Sequence, residues 1–306
     1  MQGMIAIDEA DIRQLIPEIQ TVQFALRGGQ KTVYKVVIEG QTYALKILEV
    51  PSQTPDGDVG EYSLDEADVT LARARRETGI LKSCNIPQLV KLGPIELSIG
   101  TIRDKLYLFY TEEWIDGRDL RSLVSEVRYL PTADVAALGV DMATAIETLW
   151  MMSKIHRDVK PANIMRRALD QTFVLLDLGL AFDVNDISLT LSGRIPGTPP
   201  YFSPEQTDVS RKRLLDFRSD LFSLGVVLYE VTTGEHPFWK RGMAYGELVE
   251  HIRGLPARKP SELRPEAPAE LDAVILRLLA KTPHMRYRSC SLLRKSLMEI
   301  QRSTGV

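Results

Sequence analysis

The sequence predicts an α+β chain in two segregated parts, on three observations. Short β-branched and aromatic runs broken by glycine turns come first, long segments with helical apolar spacing follow, and the character changes at Gly117. The 306 residues thus divide into an N-terminal extension over 1–21, a small β-rich part over 22–116 and a larger helical part over 117–306. With 44% hydrophobic and 26% charged residues the chain can bury a sizeable core, which excludes a disordered or fibrous protein. A net charge of −3 gives no global attraction to nucleic acid or anionic lipid, so a polyanion must be met locally.

The elements follow in order. The acidic start lacks the basic and apolar regions of a signal peptide. Ile12, Leu15, Ile16 and Ile19 predict an amphipathic helix over 8–19, bent at Pro17. Residues 22–48 read as three strands joined by turns at Gly28-Gly29 and Glu39-Gly40. Residues 50–60, with Pro51, Pro55, Gly57 and Gly60, read as an exposed loop. Helical spacing returns over 64–81 through Leu71, Ala74 and Ile80, and residues 89–97 and 105–114 read as two more strands. Helices are expected over 135–152, 214–232, 243–252, 270–279 and 292–300. The most apolar run, 221–231, is interrupted by Ser223 and Glu230 and falls short of the roughly 20 residues of a membrane span. Cys84 and Cys290 are too few for a disulfide framework and read as buried thiols, which points to the cytoplasm.

The chemistry-bearing segment is His156-Arg157-Asp158-Val159-Lys160-Pro161-Ala162-Asn163, followed by Asp177-Leu178-Gly179. It resembles the catalytic loop and metal motif of eukaryotic-type (Hanks-type) protein kinases, H-R-D, K-P-x-N and D-F-G or D-L-G. Asp is common in loops and caps, but both acids in this order, with a short strand expected over 173–176 between them, specify the family. The resemblance implies a bilobal fold over about 22–300, with a β-rich N-lobe carrying one main helix, a helical C-lobe, and ATP between them. It implies that Asp158 orients the acceptor hydroxyl and takes its proton, and that Asn163 and Asp177 hold Mg²⁺, or Mn²⁺ in its place.

Further positions carry over one by one. Tyr43-Ala44-Leu45-Lys46 resembles V-A-I-K, so Lys46 would neutralise the α and β phosphates, with Glu77 as its partner, although Glu66 shares that helix. Aligning Val33 with the valine of G-x-G-x-x-G-x-V puts Leu26, Gly28 and Lys31 at the three glycines, with Gly29 beside the survivor. This departure puts nucleotide affinity in doubt. Lys31 could reach the phosphates or point to solvent; we adopt the second reading. Leu26, Gly28, Gly29, Val33, Ala44, Glu113, Ile115 and Met165 complete the nucleotide contacts, with adenine on the backbone of the hinge at Glu113-Trp114-Ile115. The same alignment places Glu112 at the back of the adenine pocket, where an apolar residue is usual.

Gly197-Thr198-Pro199-Pro200-Tyr201-Phe202-Ser203-Pro204-Glu205 resembles the G-T-x-x-Y-x-S-P-E segment of bacterial serine/threonine kinases. With Lys160 it implies Ser or Thr acceptors on protein substrates, Thr198 bonding to Asp158 and Lys160. Glu205 would pair with Arg286, and Asp220 would brace the catalytic loop. Arg157 needs an anion: either a phosphate on Thr190, Ser188 or Ser192 of an activation loop, or Asp183 or Asp186. His156 reads as a core residue packed with Leu178 and Leu81, and His236, His251 and His284 show no metal spacing. Two rival functions share parts of this pattern. An aminoglycoside-kinase-type phosphotransferase has the same acids but no use for Lys160 and the 198–205 segment, and a pseudokinase scaffold is supported by the altered glycine loop alone. After Arg286 one short helix is expected, which leaves regulation to the activation loop, the two N-lobe elaborations or another chain.

Overall fold

The structure is a computed structural model that describes residues 7–28, 31–50, 66–180, 182–183, 197–208 and 215–304. The chain forms two compact units, the first made of residues 1–85 and 90–115 and the second of 86–89 and 116–306.

The first unit is built on an antiparallel sheet of β1 (Ile19–Gly28), β2 (Lys31–Ile38), β3 (Gln41–Glu49), β4 (Ser98–Ile102) and β5 (Lys105–Glu113), in the order β1-β2-β3-β5-β4. Its two-residue turns follow twist-matched geometry. Glu39 and Gly40 between β2 and β3, and Arg103 and Asp104 between β4 and β5, all have positive φ. The helices are α1 (Glu9–Leu15) and α2 (Glu66–Ser83). Asp8 and Asp11 cap α1 reciprocally through hydrogen bonds of 2.9 and 3.1 Å. The helix stops before Pro17 rather than bending there, because a residue preceding proline is pushed out of the helical region and Ile16 sits at φ −137°, ψ 85°. Ile19 accordingly opens β1, three residues ahead of the expected strand. Ile12 and Ile16 pack with Ile38, Leu45, Ile47, Tyr107 and Phe109 into one core, so the N-terminal segment covers a sheet face.

Residues 89–97 are not the strand expected. They make isolated bridges, Leu89 to Leu175 and Leu92 to Glu112, and the regular strand begins at Ser98. The segment is apolar enough, but Pro94 has no N–H to give a ladder. The Gly93 and Ile95 backbone instead brackets Thr111, the Gly93 N–H donating to its carbonyl at 2.8 Å and its own N–H to the Ile95 carbonyl at 2.9 Å.

The second unit is mainly helical: α3 (Leu120–Val127), α4 (Thr132–Met151), α5 (Phe217–Thr233), α6 (Tyr245–Gly254), α7 (Pro260–Leu263), α8 (Ala269–Leu278) and α9 (Cys290–Ser303). Its centre is α5, buried along nearly its whole length, with α4 and α8 packed on it and α9 on α4. Short antiparallel ribbons carry the loops: β6 (Gly117–Asp119) with β8 (Ile164–Arg167) and β9 (Phe173–Leu175), and β7 (Lys154–Ile155) with β10 (Phe182–Asp183). Gly117 is therefore the first residue of a strand inside the second unit, and α3 is a helix that the apolar spacing did not bring out. Cys84 and Cys290 are buried and form no disulfide, as expected. Among the described residues no helix is long and apolar enough to cross a membrane.

Candidate active site

In the first unit, strand alternation sorts the side chains. Leu45, Ile47, Tyr107 and Phe109 join the core under α1, so Ala44, Lys46, Tyr110 and Glu112 belong to the other face. Register places Leu26, Val33, Lys46 and Tyr110 opposite one another across β1, β2, β3 and β5, with Ala44 opposite Glu112 in the next row. Gly28 ends β1 and pairs with Lys31.

On this face the Lys46 ammonium lies 3.0 Å from Glu77 Oε1 and 2.6 Å from Glu112 Oε1. Lys31 does not turn to solvent as expected: its ammonium lies 2.7 Å from Glu77 Oε2. Residues 31 and 33 share a strand face, so Lys31 leaves β2 on the side where Val33 and Lys46 lie, and a buried carboxylate there takes it in. Glu112, expected at the back of the adenine pocket, turns its carboxylate to Lys46. Burial pushes the Glu112 carboxyl above the usual range, with Lys46 opposing and Glu77 adding to the rise. At the end of the unit the Glu113 N–H donates to the Lys91 carbonyl at 2.9 Å, and Ile115 is buried.

In the second unit the segment after β7 holds the acids. Arg157 adopts φ 69° and Asp177 φ 57°, left-handed conformations that non-glycine residues rarely take. The first is held by Asp220 at the start of α5, whose oxygens accept the His156 N–H at 2.7 Å and the Arg157 N–H at 2.8 Å. Burial raises the Asp220 carboxyl, and His156 and these two N–H groups oppose it. His156 is fully buried, with Nε2 3.1 Å from the Leu176 carbonyl and Nδ1 accepting the Asp158 N–H at 3.2 Å, so it holds backbone as expected of a core residue.

Asp158 is thereby presented with both oxygens engaged. Oδ2 accepts from Lys160 Nζ at 2.7 Å and Asn163 Nδ2 at 3.0 Å, and Oδ1 accepts the Thr198 hydroxyl at 2.7 Å. Lys160 also donates to Thr198 Oγ1 at 2.6 Å, which closes a ring of three side chains. Gly197 makes Thr198's approach possible. It sits at φ 126°, and a Cβ there would come within 2.6 Å of the Phe202 ring.

Asn163 Nδ2 spends its hydrogens on the Asp158 carbonyl and Oδ2, both at 3.0 Å, which turns its own Oδ1 to the opposite side. The Leu176 N–H donates to the Asn163 carbonyl at 2.8 Å and so sets Asp177 beside it. Among the described residues no cluster of three His, Cys, Asp or Glu could cage a metal. One amide oxygen and one carboxylate instead suit a hard divalent cation that keeps phosphate and water ligands. Met165 pairs with Val174 across β8 and β9.

Below the loop, Arg286 grips Glu205 with both terminal nitrogens, at 2.7 and 2.9 Å, and donates to the Ala280 and Arg218 carbonyls. Burial works against the Glu205 charge, but Arg286 outweighs it and holds the carboxyl below its usual range. Ser219, which no sequence motif singled out, gives Glu205 a further hydrogen bond at 2.8 Å. Gly29, Asp186, Ser188, Thr190, Ser192 and the expected 50–60 loop beyond Val50 lie outside the described residues.

The chain matches the model of the protein kinase domain over residues 27–298. It is 35% identical over 232 residues to the serine/threonine-protein kinase PknB of Mycobacterium leprae, covering 74% of this chain and 36% of that protein. It is 28% identical over 289 residues to a probable serine/threonine-protein kinase of Clostridium perfringens, covering 94% of this chain and 39% of that one. A probable serine/threonine-protein kinase of Streptomyces coelicolor is 33% identical over 225 residues, 73% of this chain and 32% of its own length. The chain thus spans about a third of the length of these curated relatives. Its matched span and its arrangement of Lys46 with Glu77 and of Asp158 with Asn163 and Asp177 agree: the chain belongs to the protein kinase domain family.

Proposed function

We propose that the chain is an ATP-dependent serine/threonine protein kinase that transfers the γ-phosphoryl group to Ser or Thr hydroxyls of protein substrates. The observation that carries this reading is the ring of Asp158, Lys160 and Thr198. Asp158 accepts the acceptor hydroxyl's hydrogen bond and takes its proton as the oxygen attacks. Lys160 lies beside that carboxylate, where it neutralises charge on the transferring phosphoryl group, and Thr198 ties the 197–205 segment to the acid as a platform for an acceptor peptide. Lys46, fixed by Glu77, binds nucleotide phosphate, and Asn163 Oδ1 and Asp177 would hold Mg²⁺, for which Mn²⁺ can stand in. The bound cation neutralises phosphate charge and aligns the leaving group. We place the activity in the cytoplasm, where ATP is supplied; the buried, unbridged cysteines Cys84 and Cys290 support this.

Radiolabelled ATP with generic protein substrates tests the proposal. Wild type should label Ser and Thr, and Asp158→Ala and Lys46→Ala should each lose about a hundredfold or more of the rate. No transfer by wild type, or transfer to small molecules alone, would refute it.

A further inference from the structure

The proposed reaction uses Lys46, Glu77, Asp158, Asn163 and Asp177, but one fully buried carboxylate in contact with this set has no part in it. Glu112 is 3% exposed, and its Oε1 lies 2.6 Å from the Lys46 ammonium, a shorter approach than the 3.0 Å between Lys46 and Glu77. Three features fix it there. Register places Glu112 opposite Ala44, one row from Lys46 on the same sheet face. The flanking Thr111 is locked from the other side by the Ile95 backbone, with its Oγ1 accepting the Ile95 N–H at 2.9 Å. Glu77, a second carboxylate on Lys46, is drawn also towards Lys31 at 2.7 Å. Four charged groups thus alternate in sign in the order Glu112, Lys46, Glu77, Lys31.

Such a chain holds the Lys46 ammonium against two carboxylates before a polyanion arrives. An ammonium has three N–H donors, and a phosphate must claim at least one of those on Lys46. The incoming phosphate also brings negative charge close to a carboxylate that water does not screen, and like charges in a buried site oppose one another strongly. Glu77 is compensated by Lys31 when Lys46 turns to phosphate. The Glu112 contact, in contrast, is to Lys46 itself.

We propose that Glu112 is a specificity-determining brake on nucleotide binding, a carboxylate that competes with the nucleotide's phosphates for Lys46 and so lowers affinity for phosphate-bearing ligands relative to that for the bare nucleoside. The proposal rests on the kinase reading above, since it assumes that Lys46 meets phosphate. It assigns this residue a role opposite to that of Glu77. Both carboxylates touch Lys46, but Glu77 positions it for the nucleotide and Glu112 withholds it.

The test is calorimetric titration of the full chain with Mg·ADP and with adenosine, in wild type, Glu112→Gln and Glu112→Leu. Glutamine keeps the shape and an acceptor without the charge, and leucine removes both. In each variant the ratio of Mg·ADP affinity to adenosine affinity should rise about tenfold over wild type. A general disturbance of the pocket would move both ligands together. Circular dichroism and thermal melting identify a variant that fails to fold, and the other then decides. An Mg·ADP-to-adenosine affinity ratio in the variants equal to or below that of wild type overturns the brake and leaves the kinase reading standing. Absence of binding to any of the three proteins overturns both.

Discussion

Acid should destabilise the second unit through His236. Burial among Tyr201, Phe238 and Trp239 pushes this imidazole down from 6.5 to about 4, an effect that the Pro200 carbonyl partly offsets. The two hydrogen bonds accepted by Nδ1 act in the same direction as burial. Nδ1 accepts the Phe238 N–H at 3.1 Å and the Trp239 N–H at 2.9 Å, so a proton on that nitrogen would displace both. Because the folded value lies below the unfolded one, the unfolded chain binds the proton first. The stabilisation is complete above about pH 6.5 and is lost as pH falls towards 4. Every tenfold difference in proton affinity between the folded and unfolded chain corresponds to about 1.4 kcal/mol, so the full loss approaches about 3 kcal/mol, of which about 2 kcal/mol is gone by about pH 5. Urea unfolding at about pH 7.5 and about pH 5, in wild type and His236→Gln, measures it. Other groups titrate alike in both proteins, so the difference between their pH slopes isolates the imidazole. Wild type should lose about 2 kcal/mol more than the variant. Equal losses would refute the reasoning.

Two further substitutions follow from packing. Arg286→Met leaves the Glu205 carboxylate buried without its guanidinium and should cost about 3 to 5 kcal/mol, while adding Glu205→Leu should recover much of that; urea unfolding of the single and double variants checks it. Gly225→Ala brings a methyl group to 2.7 Å from Leu278 Cβ where α5 meets α8, so despite alanine's higher helix propensity it should cost about 1 to 3 kcal/mol and lower the melting temperature by several degrees in a calorimetric scan.

Much of the fold is legible in the sequence because its signals are local. Alternation marks β5 and β3, and apolar spacing marks α4, α5, α8 and α9 to within a few residues. The helix α3 is legible too. Asp119 caps it by accepting the Ser122 N–H, and Leu120, Leu123, Val124 and Val127 follow a helical stripe, but the change of character at Gly117 masks them. Residues 89–97 depart from expectation for a stated reason, since an apolar run containing Pro94 cannot complete a ladder. The motif residues Asp158, Lys160, Asn163, Asp177 and Lys46 are visible as types in order. The brake carboxylate is not. Its partner is fixed by strand order and register between β3 and β5, 66 positions apart, which no local pattern encodes. Lys31 lies between these cases, as it shares a strand face with Val33, but its destination requires the placement of α2.

Asp220's grip on the His156–Asn163 loop bears on how the chain would acquire the proposed activity. The carboxylate that holds Arg157 in its rare conformation lies 63 positions further along, and the guanidinium that buries Glu205 lies 81 positions beyond it. Contacts of such sequence separation form late, after their loop-closure entropy has been overcome. A nascent chain that ends before α5 carries every acid of the His156–Asn163 and Asp177–Gly179 segments but lacks the carboxylate that holds the His156 and Arg157 backbone in place. The proposed phosphoryl transfer would thus be withheld until α5 has been made and packed, and a chain interrupted earlier would remain without it.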